Sequence, residues 1–245
     1  MKARPILFST QMVRALLAST KTQSRRVVKL PADAREVKYW TTPTGRSQVG
    51  YADPCVNYWT KRGNHIDACP YGQPGDRLWV RETWRTRATL DDYCPREIER
   101  RCLYAGFPQG PACPLHYAAD GRMTVWGDND TEDFGEWGKM RSSIHMPRWA
   151  SRITLEITRV RVERLQEISE EDARAESVER DTEPCDHSRR SCEEIGCLGP
   201  THRASYCALW EEIHGPGSWG ANPWVWVLEF KISGHRSVDH GEAVK

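Results

Sequence analysis

The apolar positions of this chain fall into short blocks separated by long polar stretches. Arg4-Pro-Ile-Leu-Phe8 reads as a short strand. Met12, Val13, Leu16 and Leu17 then recur at helical spacing, and Ser9 or Thr10 stands where a hydroxyl can cap the first turn. That helix should end near 18–20. Gly75-Asp76 marks a turn into 77–84, where Leu78, Val80 and Glu82 alternate with Trp79, Arg81 and Thr83, the period of a half-buried strand. Ile153, Leu155 and Ile157 alternate in the same way, and Val160 and Val162 continue that strand toward 165. Ser169-Glu-Glu-Asp172 opens an acidic helix that should run to about 178. Ser205 is placed to cap a further helix, with Leu209, Trp210 and Ile213 on one side and Gly215 as its stop. Asn222-Pro223 breaks the chain before an apolar strand over 224–232.

Between these blocks, 31–74, 88–140 and 181–203 lack periodicity and read as irregular insertions. The polar residues 234–245 read as a disordered tail. The sequence thus predicts an α+β fold: a mostly antiparallel, barrel-like sheet with two or three helices, its first and last strands paired, in a single domain over 1–233.

Composition trims this picture. Apolar residues make up 38% of 245, and mean hydropathy is −0.70, so the core should be modest and the excursions polar. Eleven tryptophans supply much of the core surface and also offer faces on which bases stack. The net charge is +1, so contact with nucleic acid would have to come from local basic patches. No apolar run is long enough for a membrane span, and no secretory leader is evident, so a cytoplasmic protein with no membrane partner is expected. Its nine cysteines should then be thiols or metal ligands.

Among them, Cys185, His187, Cys192, Cys197 and His202 crowd one loop that has little apolar material of its own. Zinc takes four such ligands in a tetrahedron and would order the segment as a structural clip; free thiols in a loop are the alternative. Cys94, Cys102, Cys113 and His116 form a looser set.

The chemistry-bearing stretch is Ala18-Ser-Thr-Lys-Thr-Gln-Ser-Arg-Arg26. It resembles the Gly-x-Lys-x-x-Glu-x-Arg signature that follows the first helix of ASCH domains, in the PUA-like superfamily. Lys21 and Arg26 match; Ser19 stands for the Gly and Ser24 for the Glu. The resemblance continues at Pro74-Gly-Asp-Arg-Leu-Trp-Val80, at Ile168-Ser-Glu-Glu-Asp-Ala-Arg-Ala-Glu176 and at the closing strand 224–230. In order, these blocks cover about half the chain. A subgroup that hydrolyses N4-acetylcytidine carries a Thr at the Ser24 position and a catalytic Glu at the end of the acidic helix.

The resemblance therefore implies amide cleavage on a modified nucleoside or nucleobase by Lys21, Ser24 and Glu176, with no cofactor required. Arg25 and Arg26 are like charges beside Lys21, which with burial would favour its neutral amine as a base. Arg25, Arg26, Trp79, Glu82, Trp84, His145 and Arg148 are the candidate substrate contacts, with Trp149 as a further stacking face. Core packing is the alternative for the tryptophans, a loop role for His145 and Arg148, and pairing with Arg81 or Arg85 for Glu82. Arg4-Pro-Ile-Leu-Phe8, Ile144-His-Met-Pro-Arg-Trp149 and Asn222-Pro-Trp-Val-Trp226 also resemble a family of bacteriophage and prophage proteins, some of them labelled morphogenetic. That leaves a non-catalytic module binding RNA or modified nucleic acid, or a virion-assembly factor, as alternatives. The sequence does not indicate an oligomeric state.

Overall fold

The computed structural model describes residues 2–29, 35–41, 47–52, 64–104, 112–127, 135–180 and 199–235. In chain order the elements are β1 (Ala3–Leu7), α1 (Thr10–Leu17), β2 (Gln23–Val27), β3 (Arg35–Thr41), β4 (Ser47–Ala52), β5 (Asn64–Ala68), β6 (Arg77–Arg81), β7 (Trp84–Arg85), α2 (Pro95–Tyr104), β8 (Ala112–Tyr117), β9 (Met123–Gly127), β10 (Ile153–Arg164), α3 (Glu170–Ala175), α4 (His202–His214) and β11 (Trp224–His235). The fold is mixed α+β. Five strands hydrogen-bond in the order β1-β6-β10-β11-β2, and two three-stranded sheets follow the orders β3-β4-β5 and β7-β8-β9.

The chain divides into two compact units, each assembled from separated segments, where the sequence alone suggested a single domain. The first comprises Met1–Leu17, Arg77–Glu156 and Ile232–Lys245. In it β1 pairs with β6 in parallel, and β6 pairs with the start of β10 in antiparallel register, Thr154 opposite Trp79. The alternation expected of 77–84 holds: Leu78, Val80 and Glu82 are buried. α1 buries Val13 and Leu16, and the Ser9 hydroxyl accepts a hydrogen bond from the Met12 N–H. A core around Trp84, Ile98, Leu115, Tyr117, Met146 and Trp149 joins α2 to the sheet of β7, β8 and β9.

The second unit comprises Ala18–Asp76 and Ile157–Lys231. Here β11 runs antiparallel to β2, with Val225, Val227 and Glu229 opposite Val27, Arg25 and Gln23. The alternation of β10 shifts phase after Ile157: Thr158 and Arg159 are both exposed, and burial resumes at Val160 and Val162. Side chains of opposite residues share a face, so Arg25 and Gln23 lie with Val225, Val227 and Glu229. That face is covered by Leu165 and Ile168, which precede α3, with Ala173 of α3 and Tyr206 and Trp210 of α4.

Several expectations change. The stretch 31–74 holds an antiparallel meander of β3, β4 and β5, and 88–140 holds α2, β8 and β9. Polar residues on one side and Pro114 inside β8 hide the pattern Cys113, Leu115, Tyr117, which is buried. The first strand pairs with β6, not with the last strand. α3 ends at Ala175, and α4 is capped by Thr201, whose hydroxyl accepts from Ala204 N–H at 3.1 Å, four residues before the expected Ser205. Its buried residues are Tyr206 and Trp210, while Ile213 is exposed. Gly215 does terminate it, at φ 93°. The tail 236–245 lies outside the described residues.

Candidate functional site: a buried charge network around Lys21 and Glu176

Lys21 follows α1 across a turn in which Ser19 adopts the left-handed conformation, φ 57°. Glu176 closes α3, and the next residue, Ser177, is also left-handed at φ 64°. The two turns meet: Thr20 and Ser177 share a hydroxyl hydrogen bond of 2.8 Å, and Thr22 N–H donates to the Ala175 carbonyl at 2.9 Å. The meeting brings Lys21 Nζ to 2.5 Å from Glu176 Oε2 and 3.0 Å from the Glu176 carbonyl. The two side chains are only 1% and 4% exposed. A buried ammonium and carboxylate must pair, since either alone would carry a large desolvation cost.

Arg25 lies one turn of the pleat beyond Gln23 and is fully buried at its side chain. Its guanidinium donates to Glu163 Oε1 at 2.6 Å, Asp172 Oδ2 at 2.9 Å and Gln23 Oε1 at 2.5 Å, and approaches Glu176 Oε1 at 3.5 Å. Gln23 in turn donates to Asp172 Oδ1 at 3.0 Å. Arg161 of β10 bonds Glu163 Oε2 at 3.0 Å, Asp172 Oδ2 at 2.6 Å and the carboxylate of Glu229. On β10 Arg161 and Glu163 alternate with the buried Val160 and Val162. Burial raises the Asp172 carboxyl, but the Gln23 bond and the charges of Arg161 and Arg25 outweigh it and hold it below its ordinary value. Burial and then the Glu176 charge push the Tyr206 hydroxyl, on the same face, well above its usual range.

The sequence reading thus placed Lys21 and Glu176 together, and the structure brings them together. Ser24 is different. The pleat puts it opposite Leu228, on the other face of β2 from Gln23 and Arg25, and none of the hydrogen bonds described for Lys21 reaches its hydroxyl. Ser24 is buried at 2% exposure, and Arg26, on that same face, is half-buried opposite Trp226. Arg25, expected to press a like charge on Lys21, is turned into carboxylates instead. Glu163, Asp172, Arg161, Gln23 and Glu229 were missed. The alternation of 160–163 carried the signal for the pair on β10, but nothing local shows that Arg25 and Arg161 meet the carboxylates of Glu163, Asp172 and Glu229.

The remaining candidates lie in the first unit. Trp84 is fully buried in its core, edge-on to Trp149 at 5.8 Å, so neither offers an open stacking face. Trp79 is half-buried beside the Arg81 guanidinium at 5.3 Å. Glu82 pairs with Arg152 through two 2.9 Å bonds, not with Arg81 or Arg85. Arg152 reaches Asp120 as well, at 2.8 and 3.0 Å, and lies 4.1 Å from the Tyr117 ring centroid. Burial raises the Glu82 carboxyl above its ordinary value despite this partner. His145 and Arg148 are exposed, in two 3-10 turns.

Of the expected zinc ligands, Cys185, His187, Cys192 and Cys197 lie outside the described residues. His202 opens α4, and its Nδ1–H donates to the Val178 carbonyl at 2.7 Å. Among the described residues no group of three or more Cys, His, Asp or Glu side chains is arranged to hold a metal. In the looser set, Cys102 and Cys113 are buried in one core, Cys94 is exposed and His116 meets Arg85. No helix described is long and apolar enough to cross a membrane. Comparison with known proteins finds no matching family model, curated protein or solved structure.

Proposed function

We propose that this chain is an ASCH/PUA-like protein that hydrolyses an amide on a modified nucleoside or nucleobase, of the N4-acylcytidine type, with Lys21 and Glu176 as its proton-moving pair. The observation that carries the reading is the 2.5 Å contact between these two side chains, 155 residues apart in the chain. A second observation agrees with the family: Ser19 holds φ 57° at the position where the signature has Gly, the residue that takes such a conformation without cost. The PUA-like barrel is part of the same proposal, supported by the order and mainly antiparallel pairing of the five-stranded sheet.

The chemistry follows from the pair. Shifting one proton from the ammonium to the carboxylate would leave a neutral amine and a neutral acid side by side. The Lys21 amine then takes the proton of the attacking nucleophile as it adds to the acyl carbon. The Glu176 acid gives its proton to N4 as the carbon–nitrogen bond breaks. The resemblance implies the Ser24 hydroxyl as nucleophile; its place on the far face of β2 favours water.

The test is incubation with N4-acetylcytidine, with cytidine release followed by chromatography. Turnover should vanish in Lys21→Ala. Retained turnover in Ser24→Ala assigns water as nucleophile, and loss assigns the hydroxyl. Failure of the wild-type protein to release cytidine from any N4-acylated cytidine rejects the proposal. The full pairing of Lys21 and Arg25 favours one second reading, a module that binds RNA or modified nucleic acid without chemistry. It predicts salt-sensitive RNA binding that weakens in Arg26→Ala.

A further inference from the structure

Away from the charge network, Arg85 of β7 and His116 of β8 stand directly opposite each other in antiparallel register. Both are half-buried. Arg85 Nη2 lies 3.4 Å from His116 Nε2. An arginine can only donate, so Nε2 is the acceptor and the neutral imidazole carries its proton on Nδ1. Burial and then the Arg85 charge hold this imidazole below its ordinary value, against its own backbone carbonyl and the Asp120 charge, in agreement with a neutral ring. The Nδ1–H is therefore a buried donor that finds no hydrogen-bond partner beyond its own residue among the described residues, and Arg85 Nε–H is a second unpaired donor among them.

Trp137 completes the group. Its ring centroid is 5.4 Å from that of His116 and 5.7 Å from the Arg85 guanidinium carbon. No carboxylate pairs with Arg85 among the described residues; Asp120, whose charge reaches His116, is held by Arg152. The group thus carries a positive charge, two N–H donors unpaired with other described residues and an aromatic plane. Native proteins leave few buried donors unpaired, because each forfeits the hydrogen bond it made to water.

We infer that Arg85, His116 and Trp137 form a binding site for an oxyanion, a phosphoryl or carboxylate group, which accepts from Arg85 Nε–H and His116 Nδ1–H beside the Trp137 ring. The arginine fork suits either group. An attached planar base would gain the indole face, so a nucleotide should bind more tightly than inorganic phosphate. The site is independent of Lys21 and Glu176.

The experiment follows the imidazole carbon-bound proton of His116 by NMR in the full chain. Inorganic phosphate, adenosine monophosphate and acetate are titrated in turn at fixed ionic strength. A bound anion should raise the pH at which His116 titrates and give a saturable shift. Arg85→Gln should weaken the tightest probe about tenfold or more, the loss expected on removing a charge-assisted bond. Saturation by acetate alone assigns a carboxylate ligand; saturation by phosphate or the nucleotide assigns a phosphoryl one. If Arg85→Gln does not fold, thermal unfolding of the wild type decides: its midpoint should rise with the bound probe and not with chloride. No saturable shift and no rise with any probe, or equal binding in Arg85→Gln, overturns the site.

Discussion

Lys21 and Glu176 are each nearly inaccessible, so the consequence of losing one is dominated by what happens to the other. Lys21→Met leaves the Glu176 carboxylate buried without its closest partner and should destabilise the fold by about 3–5 kcal/mol. Replacing both by apolar residues of similar volume should cost much less, and urea unfolding of the three variants measures the difference. The left-handed serines point the other way. Ser19→Gly relieves a conformation that costs a residue with a Cβ about 1 kcal/mol or more and should raise stability by about that much, whereas Ser177→Gly also gives up the hydroxyl bond to Thr20 and should gain less. A loss of stability on Ser19→Gly would mean that its side chain supports the turn. Lys21 was readable from the signature and Glu176 from the capped acidic helix. Ser24 was not rightly placed beside them, because spacing in sequence says nothing of which face of a pleat a residue takes. The true neighbours of Lys21 and Glu176 came instead from other strands, which pairing register alone decides.

At the scale of elements, α3 and α4 matter because they hold Asp172, Glu176 and Tyr206 against β2. Each is opened by a hydroxyl cap: Ser169 accepts from Asp172 N–H at 3.0 Å, and Thr201 from Ala204 N–H. Ser169→Ala and Thr201→Ala should each cost about 1 kcal/mol. Hydrogen exchange should speed up first in the helix concerned, and uniform exchange changes throughout the chain would contradict that local origin. The clean alternation of β6 and of the first part of β10 was legible, as were α1 and α3, where period and cap agree. The meander β3–β5, the helix α2 and the hairpin β8–β9 were not. Polar residues interrupt the apolar positions of their sequences, and Pro114 sits in a strand. Pro95 at the first position of α2, with Ile98 and Cys102 four apart and buried, was the signal available there.

For the molecule as a whole, one buried carboxyl of each unit, Asp172 and Glu82, contributes to stability in an opposite sense. Asp172 has its folded carboxyl below the ordinary 3.8, so its contribution is complete above pH 3.8 and is lost as pH falls through the folded value. Glu82 is raised above 4.5, so the folded state holds its proton longer, and stability declines as pH rises from 4.5 through the folded value. Asp172→Asn should therefore flatten the acid limb of a plot of unfolding midpoint against pH, and Glu82→Gln should remove a decline on its other side. Identical profiles for wild type and both variants would contradict these assignments. Neither effect was foreseeable from composition, since a net charge of +1 conceals two buried arginine–carboxylate clusters.

What makes the second unit more than a packed pair of helices on a sheet is the reactivity ascribed to the amine and acid held between two strained turns. Acetate release from N4-acetylcytidine, measured for the wild type, Lys21→Met and Glu176→Gln, tests this most directly, once each variant is known to be folded. The account predicts release by the wild type and at least a hundredfold loss in both variants, about the minimum for removing a general acid or base. Wild-type rates in folded Glu176→Gln, or none in the wild type, would contradict it.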